Sequence, residues 1–177
     1  MNTKFYDKPF RHWIISDFTQ HVDVLLEALK GEPFQRKECD LFQFFQGHDV
    51  SLTKNEILKK FYADFSNPDF LKEITKITGI SVSFIYMSPF IYGDTDYLLP
   101  HDDRLERRKI AYIVYLNDLS EKEGGHLDFF QGSKIVKSIV PKKGMLALFE
   151  VSEKSFHQVS EVISAERISF AGWFHGH

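Results

Sequence analysis

At Gly79 the apolar residues of this chain change period, and that change limits the folds open to it. Before it, Phe18, Val22, Leu25, Leu26 and Leu29 recur at helical spacing, with Thr19 placed to cap the start and Gly31 just past the end. Ile57, Leu58, Phe61 and Phe65 suggest a second helix. The segment NPDFLKEITKITG predicts a third, with Asn67 as N-cap, Pro68 at the first helical position and Gly79 as the stop. After Gly79 the runs are short and rich in β-branched and aromatic residues: VSFIYM, KIAYIVYL, HLDFF, KIVKSIV, MLALFEV, SFHQVSEV and RISFAGWF. Turn chemistry separates them, in YGDTD, NDLSEKEGG, QGS, PKKG and ISAE. Helices followed by about eight short strands predict an α+β chain whose core is a double-stranded β-helix, or jelly roll, braced by N-terminal helices. The expected division is a helical part over about 1–79 and a jelly-roll core over about 80–177, within one domain.

The bulk properties narrow the function classes without choosing one. A hydrophobic content of 43%, with 18 Phe and 7 Tyr among 177 residues, implies an aromatic core and argues against disorder. The net charge of −3 gives no electrostatic footprint for nucleic acid or an anionic membrane. Cys39 is the single cysteine, and MNTKFYDKPFRHW has neither the basic start nor the apolar stretch of a secretory signal. These features predict a protein of a reducing compartment, the cytoplasm or, in a eukaryote, also the nucleus.

Chemistry is first suggested by His-x-Asp. On a strand, residues i and i+2 share a face, so the motif can offer an imidazole and a carboxylate to one metal. Chance gives about 0.6 copies in a chain of this composition, and this chain has three. His21/Asp23 falls in the best helical segment, where a two-residue step sends the side chains to opposite sides; it reads as a surface pair. His126/Asp128 follows Gly124-Gly125, and its simplest reading is a polar strand face beside a hairpin. His101/Asp103 follows Pro100 at an expected strand start.

What raises His101/Asp103 above the others is the C-terminal stretch SFHQVSEVISAERISFAGWF. His157 there is flanked by apolar and small residues, which also fits a core histidine. Arg167 follows in an otherwise apolar strand, with Ser169 on the same face and Trp173 further along. An arginine rarely enters a buried strand face without an anion to pair with. Two histidines and one aspartate make a facial triad that suits Fe(II) and leaves three positions open, enough for a 2-oxo acid chelate and dioxygen. The arginine would hold the far carboxylate of that acid.

The segments HDD, AYIVYLN, GGHL, IVPKKGMLALFEVSEKSFHQVSEV and RISFAGWFH together resemble the iron- and 2-oxoglutarate-dependent prolyl hydroxylases, most of all those that hydroxylate a prolyl residue of a small-subunit ribosomal protein. The resemblance runs from KPFRHWIISDF to GWFHGH. It implies Fe(II), 2-oxoglutarate and O2, with ascorbate as reductant, and a protein substrate, with no membrane and no direct nucleic-acid partner. It also implies that His101, Asp103 and His157 hold the iron, that Arg167 binds the 2-oxoglutarate C5 carboxylate with Ser169 assisting, and that Tyr92 and Tyr115 hydrogen-bond the same molecule. Arg108 matches a position near the substrate mouth, and Trp173 one lining the pocket. Two departures stand out. The second, non-catalytic jelly roll of eukaryotic members has no room here, and Arg104 stands where an acidic residue is expected, placing positive charge near the metal rim. Two other functions remain open from sequence: the same cofactors acting on another protein or small molecule, and a non-catalytic cupin-like binding module.

Several residues have blander readings. His12, His48, His175 and His177 are expected to be exposed, Gly124-Gly125 to serve a hairpin, and Lys142-Lys143 to be a solvated turn. Arg104, Glu106 and Arg107 are expected in a solvated loop, with Asp102 pointing away from Asp103.

Overall fold

A computed structural model describes residues 2–105 and 107–176, which leaves Glu106 and His177 outside it. Three helices form where the periodicity placed them: α1 (Val22–Leu29), α2 (Glu56–Ser66) and α3 (Pro68–Thr78). The Asn67 side chain accepts from the Phe70 N–H, and Gly79 ends α3 in the left-handed conformation at φ 72°, a cap worth about 1 kcal/mol. The expected cap at Thr19 is displaced. His21 occupies the capping position of α1 and makes no side-chain cap, while the Thr19 hydroxyl accepts from the His21 N–H.

The first half is not only helical, which corrects the expected division at Gly79. Four strands precede it: β1 (Asn2–Tyr6), β2 (His12–Ser16), β3 (Phe34–Cys39) and β4 (Phe42–Gly47). Eight more follow: β5 (Phe84–Tyr92), β6 (Tyr97–His101), β7 (Arg108–Tyr115), β8 (Leu127–Gln131), β9 (Lys134–Ile139), β10 (Leu146–Glu150), β11 (His157–Val159) and β12 (Arg167–His175). They hydrogen-bond in the order β1-β2-β10-β7-β12-β5-β4-β6-β11-β8-β9, with β3 on the side of β4. The sheet curls into the two facing layers of a jelly roll. β4 makes the corner, pairing with β5 through Phe45 and Ile91 and with β6 through Phe42 and Leu98.

The two-residue period of a strand gives the larger layer two different faces. Ile110, Tyr112 and Val114 on β7 and Phe170 and Phe174 on β12 face the helices, packing with Leu25, Leu58, Phe65 and Ile74. Ala111, Ile113 and Tyr115 point the other way, between the layers, with Phe129, Ala147 and Phe149. Each such fully buried Leu, Ile or Phe contributes roughly 1.5–3 kcal/mol of transfer free energy. Gly172 is required on the helix-facing side. Tyr112 donates across it to the Tyr86 carbonyl at 2.9 Å, and a Cβ there would lie 1.9 Å from that same oxygen. No helix among the described residues is long and apolar enough to cross a membrane.

Candidate active site

Between the layers lies a cavity of about 540 Å3, within the range of small-molecule sites. His101 ends β6, and His157 begins β11 directly opposite it in the antiparallel register. The sequence placed His101 at a strand start; it stands at a strand end, and Asp103 lies in the loop beyond. That loop folds Asp103 back to the histidine face, so the same-face expectation holds, but not because a strand continues.

Each histidine Nδ1 lies against the carbonyl two residues before it, His101 on Leu99 at 2.9 Å and His157 on Ser155 at 2.8 Å. A carbonyl can only accept, so both Nδ1 atoms carry the proton and both Nε2 lone pairs are left for the cavity. Those atoms sit 3.7 and 3.5 Å from the two Asp103 oxygens, and one ligand atom from each of the three residues falls within 4.8 Å of the others. A cation with bonds of about 2 Å fits among them. Burial pulls the His157 pKa well down, with Asp103 opposing and His101 adding to the shift, so the imidazole is neutral and ready to ligate at pH 7.

Asp102 lines the cavity but stands outside the cluster of His101, Asp103 and His157. It accepts from the Arg104 backbone N–H at 3.2 Å and from Arg104 Nε at 3.0 Å. The unexpected positive charge of Arg104, which also lines the cavity, is therefore matched by its own neighbour.

Arg167 lies deeper in the cavity and is 2% exposed. Its guanidinium stands 5.0 Å from the Tyr92 ring and 5.1 Å from the Tyr115 ring and donates to Ser169 Oγ at 3.2 Å. Arg167 Nε and the Tyr115 hydroxyl have no partner among the described residues. A buried guanidinium without a carboxylate is an open anion site. Tyr92 and Arg167 line the cavity, and Tyr115 and Ser169, both fully buried, lie around the guanidinium. Gly125 does more than shape a turn: it has φ 63°, and a Cβ there would lie 3.3 Å from Arg167 Cδ.

Towards the mouth, the Arg108 guanidinium lies 3.4 Å from the Trp173 ring centroid and 3.9 Å from Asp103, and Trp173 stacks on Tyr86 at 5.7 Å. The other His-x-Asp copies do not assemble such a cluster. His21 and Asp23 are exposed, and Asp23 pairs with Lys143 at 2.6 Å, so Lys143 is not simply solvated. Asp128 is buried and accepts from Ser138 and Gln158. His48 is exposed as expected and His175 half-buried. His12 is the clear exception, at 0% exposure: Nδ1 lies on the Phe10 carbonyl, and the ring stacks on Tyr6 at 4.8 Å. Its apolar surroundings come from β2, a strand that helical spacing could not reveal.

Residues 87–175 match the 2OG-Fe(II) oxygenase superfamily, and the chain belongs to that superfamily. Within it, the chain is 42% identical over 182 residues to the prolyl 3-hydroxylase OGFOD1 of Xenopus laevis, covering 95% of this chain and 35% of that protein. It is 30% identical over 168 residues to the prolyl 3-hydroxylase sudestada1 of Drosophila melanogaster, covering 86% of this chain and 31% of the relative. The chain thus spans about a third of the length of these curated relatives. A prolyl-4-hydroxylase structure from Pseudomonas putida superposes with a TM-score of 0.78 at 18% identity, over 94% of this chain and 92% of that one. At that identity the likeness concerns the fold.

Proposed function

We propose that residues 1–177 form one Fe(II)- and 2-oxoglutarate-dependent dioxygenase domain that hydroxylates a prolyl residue of a protein, a small-subunit ribosomal protein being the first substrate to test. The observation that carries this reading is a His–Asp–His cluster and, in the same cavity, a buried arginine with no carboxylate partner among the described residues. The donor set suits the family's metal: two imidazoles and a carboxylate on one side, the other side open. The orphaned nitrogen of Arg167 and hydroxyl of Tyr115 suit its co-substrate. Iron with 2-oxoglutarate and dioxygen supplies the oxidation, giving succinate, CO2 and one oxygen atom for a proline C–H bond.

The chain's own residues bind, orient and exclude water. His101, Asp103 and His157 hold the metal. Arg167 receives the C5 carboxylate of 2-oxoglutarate, Ser169 fixes the guanidinium, and the Tyr92 and Tyr115 hydroxyls donate to the same molecule. Arg108 and Trp173 face the incoming peptide. No side chain is asked to act as a general base. The identity of the relatives as prolyl 3-hydroxylases supports a prolyl target, and the resemblance of the SFHQVSEV and GWFHG segments supports the ribosomal one. Ascorbate serves as the reductant in this reading, and the lone Cys39 supports a cytoplasmic location.

Incubation with Fe(II), ascorbate, 2-oxoglutarate and a proline-containing ribosomal-protein peptide tests it. The expected products are succinate and a peptide heavier by one oxygen atom. Succinate without peptide oxidation would redirect the search to another substrate; neither product would defeat the enzyme reading.

A further inference from the structure

The buried carboxylates of the described residues are each engaged by neighbouring groups. Among the described residues the buried carboxylates are Asp96, Asp103 and Asp128. Asp103 belongs to the histidine cluster, and Asp128 is taken by the Ser138 hydroxyl and the Gln158 amide. Asp96, 2% exposed, lies in the β5–β6 turn. Its Oδ2 accepts the N–H of Gly93, the residue after Tyr92, at 2.8 Å, and Tyr92 is the direct cross-strand partner of Arg167. Asp96 therefore hydrogen-bonds the residue that follows the register position opposite Arg167. Both charges reach the Tyr92 hydroxyl: burial pushes its pKa up most, Arg167 opposes the shift and Asp96 adds to it.

Arg36, on β3, donates NH1 to Asp96 Oδ1 at 2.6 Å. The same guanidinium reaches Glu38 at 2.9 Å and Gln43 at 3.2 Å, and its exposed side lies over the Phe45 ring. The turn itself is also held by contacts that do not involve Arg36. Thr95 N–H donates to the Val162 carbonyl, Val162 N–H to the Asp96 carbonyl and Ser164 N–H to Asp94. A side-chain ion pair is not needed to brace a turn held this way, which leaves the charge itself to be explained.

We infer that Arg36 is a positioning residue for co-substrate binding: by occupying Asp96 it stops that buried carboxylate from competing for Arg167 and keeps Arg167 open to an incoming carboxylate. This rests on the reading of Arg167 as the 2-oxoglutarate anchor. Unneutralised, a buried negative charge beside the site opposes an anionic ligand, because attraction and repulsion are weakly screened there.

The test is calorimetric titration of 2-oxoglutarate into the Mn(II)-loaded chain, with no turnover. Arg36→Met removes the charge and keeps the apolar stem; it is expected to weaken binding about tenfold. Asp96→Asn can still accept from Gly93 and is expected to bind as tightly as the parent or tighter. The double variant Arg36→Met/Asp96→Asn is expected to return to within about threefold of the parent. A brace without an electrostatic role predicts the reverse, with Asp96→Asn and the double variant both weak. Either of those results, or unchanged binding in Arg36→Met, overturns the inference. Should Arg36→Met fail to fold, tenfold weaker binding in Asp96→Asn alone overturns it, and parental or tighter binding sustains it. A parent chain that takes up Mn(II) but no 2-oxoglutarate defeats the co-substrate reading itself, a result distinct from any pattern among the variants.

Discussion

His157 stands directly opposite His101 across the β6–β11 pair, their ring centroids 4.2 Å apart. Two imidazoles that close are held by packing and by their Nδ1 hydrogen bonds, and neither nitrogen facing the cavity meets a hydrogen-bond donor among the described residues. The third member, Asp103, decides whether this is a metal site. Asp103→Ala is expected to weaken Mn(II) binding by more than about 100-fold, beyond the 10–100-fold that losing an outer partner costs. Asp102→Ala, which removes only the contacts to Arg104, is expected to stay within about threefold of the parent. Calorimetry or metal-dependent thermal shift measures both, and equal losses would mean that the Asp103 side chain is misassigned.

Arg167→Ala removes the cation between Tyr92 and Tyr115. A charge-assisted bidentate pair is worth about 1.5–3 kcal/mol, so 2-oxoglutarate should bind roughly one to two orders of magnitude more weakly. Metal binding should be preserved. Unchanged affinity for the oxo acid would remove Arg167 from the site.

Two buried histidines make the metal-free protein acid-sensitive. Burial lowers the folded-state pKa of His12 and of His157 below the ordinary 6.5. In that window the unfolded chain binds more protons, so this part of the stability is fully present above pH 6.5 and is lost as pH falls below it. The melting temperature of the chelator-treated protein is expected to fall between about pH 6.5 and 5. His12→Phe, which cannot take up a proton, should flatten the slope. An unaltered slope in that variant would show that His12 charges as easily folded as unfolded.

Gly172→Ala introduces a methyl group 1.9 Å from the Tyr86 carbonyl oxygen. Backbone must move to admit it, so a loss of about 3 kcal/mol, the upper end of overpacking costs, is expected in denaturant unfolding. Tyr112→Phe, which only deletes the hydrogen bond to that carbonyl, should cost about 1 kcal/mol.

Seven of the eight strands after Gly79 were legible because period and composition agreed there, whereas β6 was missed and its last residue, His101, reads as a strand start. Arg167 announced itself as a charge in an apolar strand, and His157 as a histidine among small and apolar neighbours. The four early strands were not legible. β3 is nearly all exposed and reads FQRKEC, with no apolar alternation to find, and β2 is only five residues long. β3 pairs with β4 across the short link at Asp40 and Leu41, whereas β2 is made a strand by pairing with β10 far along the chain, which no local window contains. The same holds for Asp96. YGDTD does read as a turn, and it is one, but the burial of its last aspartate depends on Arg36, 60 positions away.

The alternation along β12 has a consequence for how this protein tolerates change. Phe170, Gly172 and Phe174 point to the helices, while Arg167, Ser169, Ala171 and Trp173 belong to the opposite face. One strand thus answers to two selective pressures that switch at every residue. Variants at one set of positions would be recognised by how much protein survives, and variants at the other by what the surviving protein no longer does.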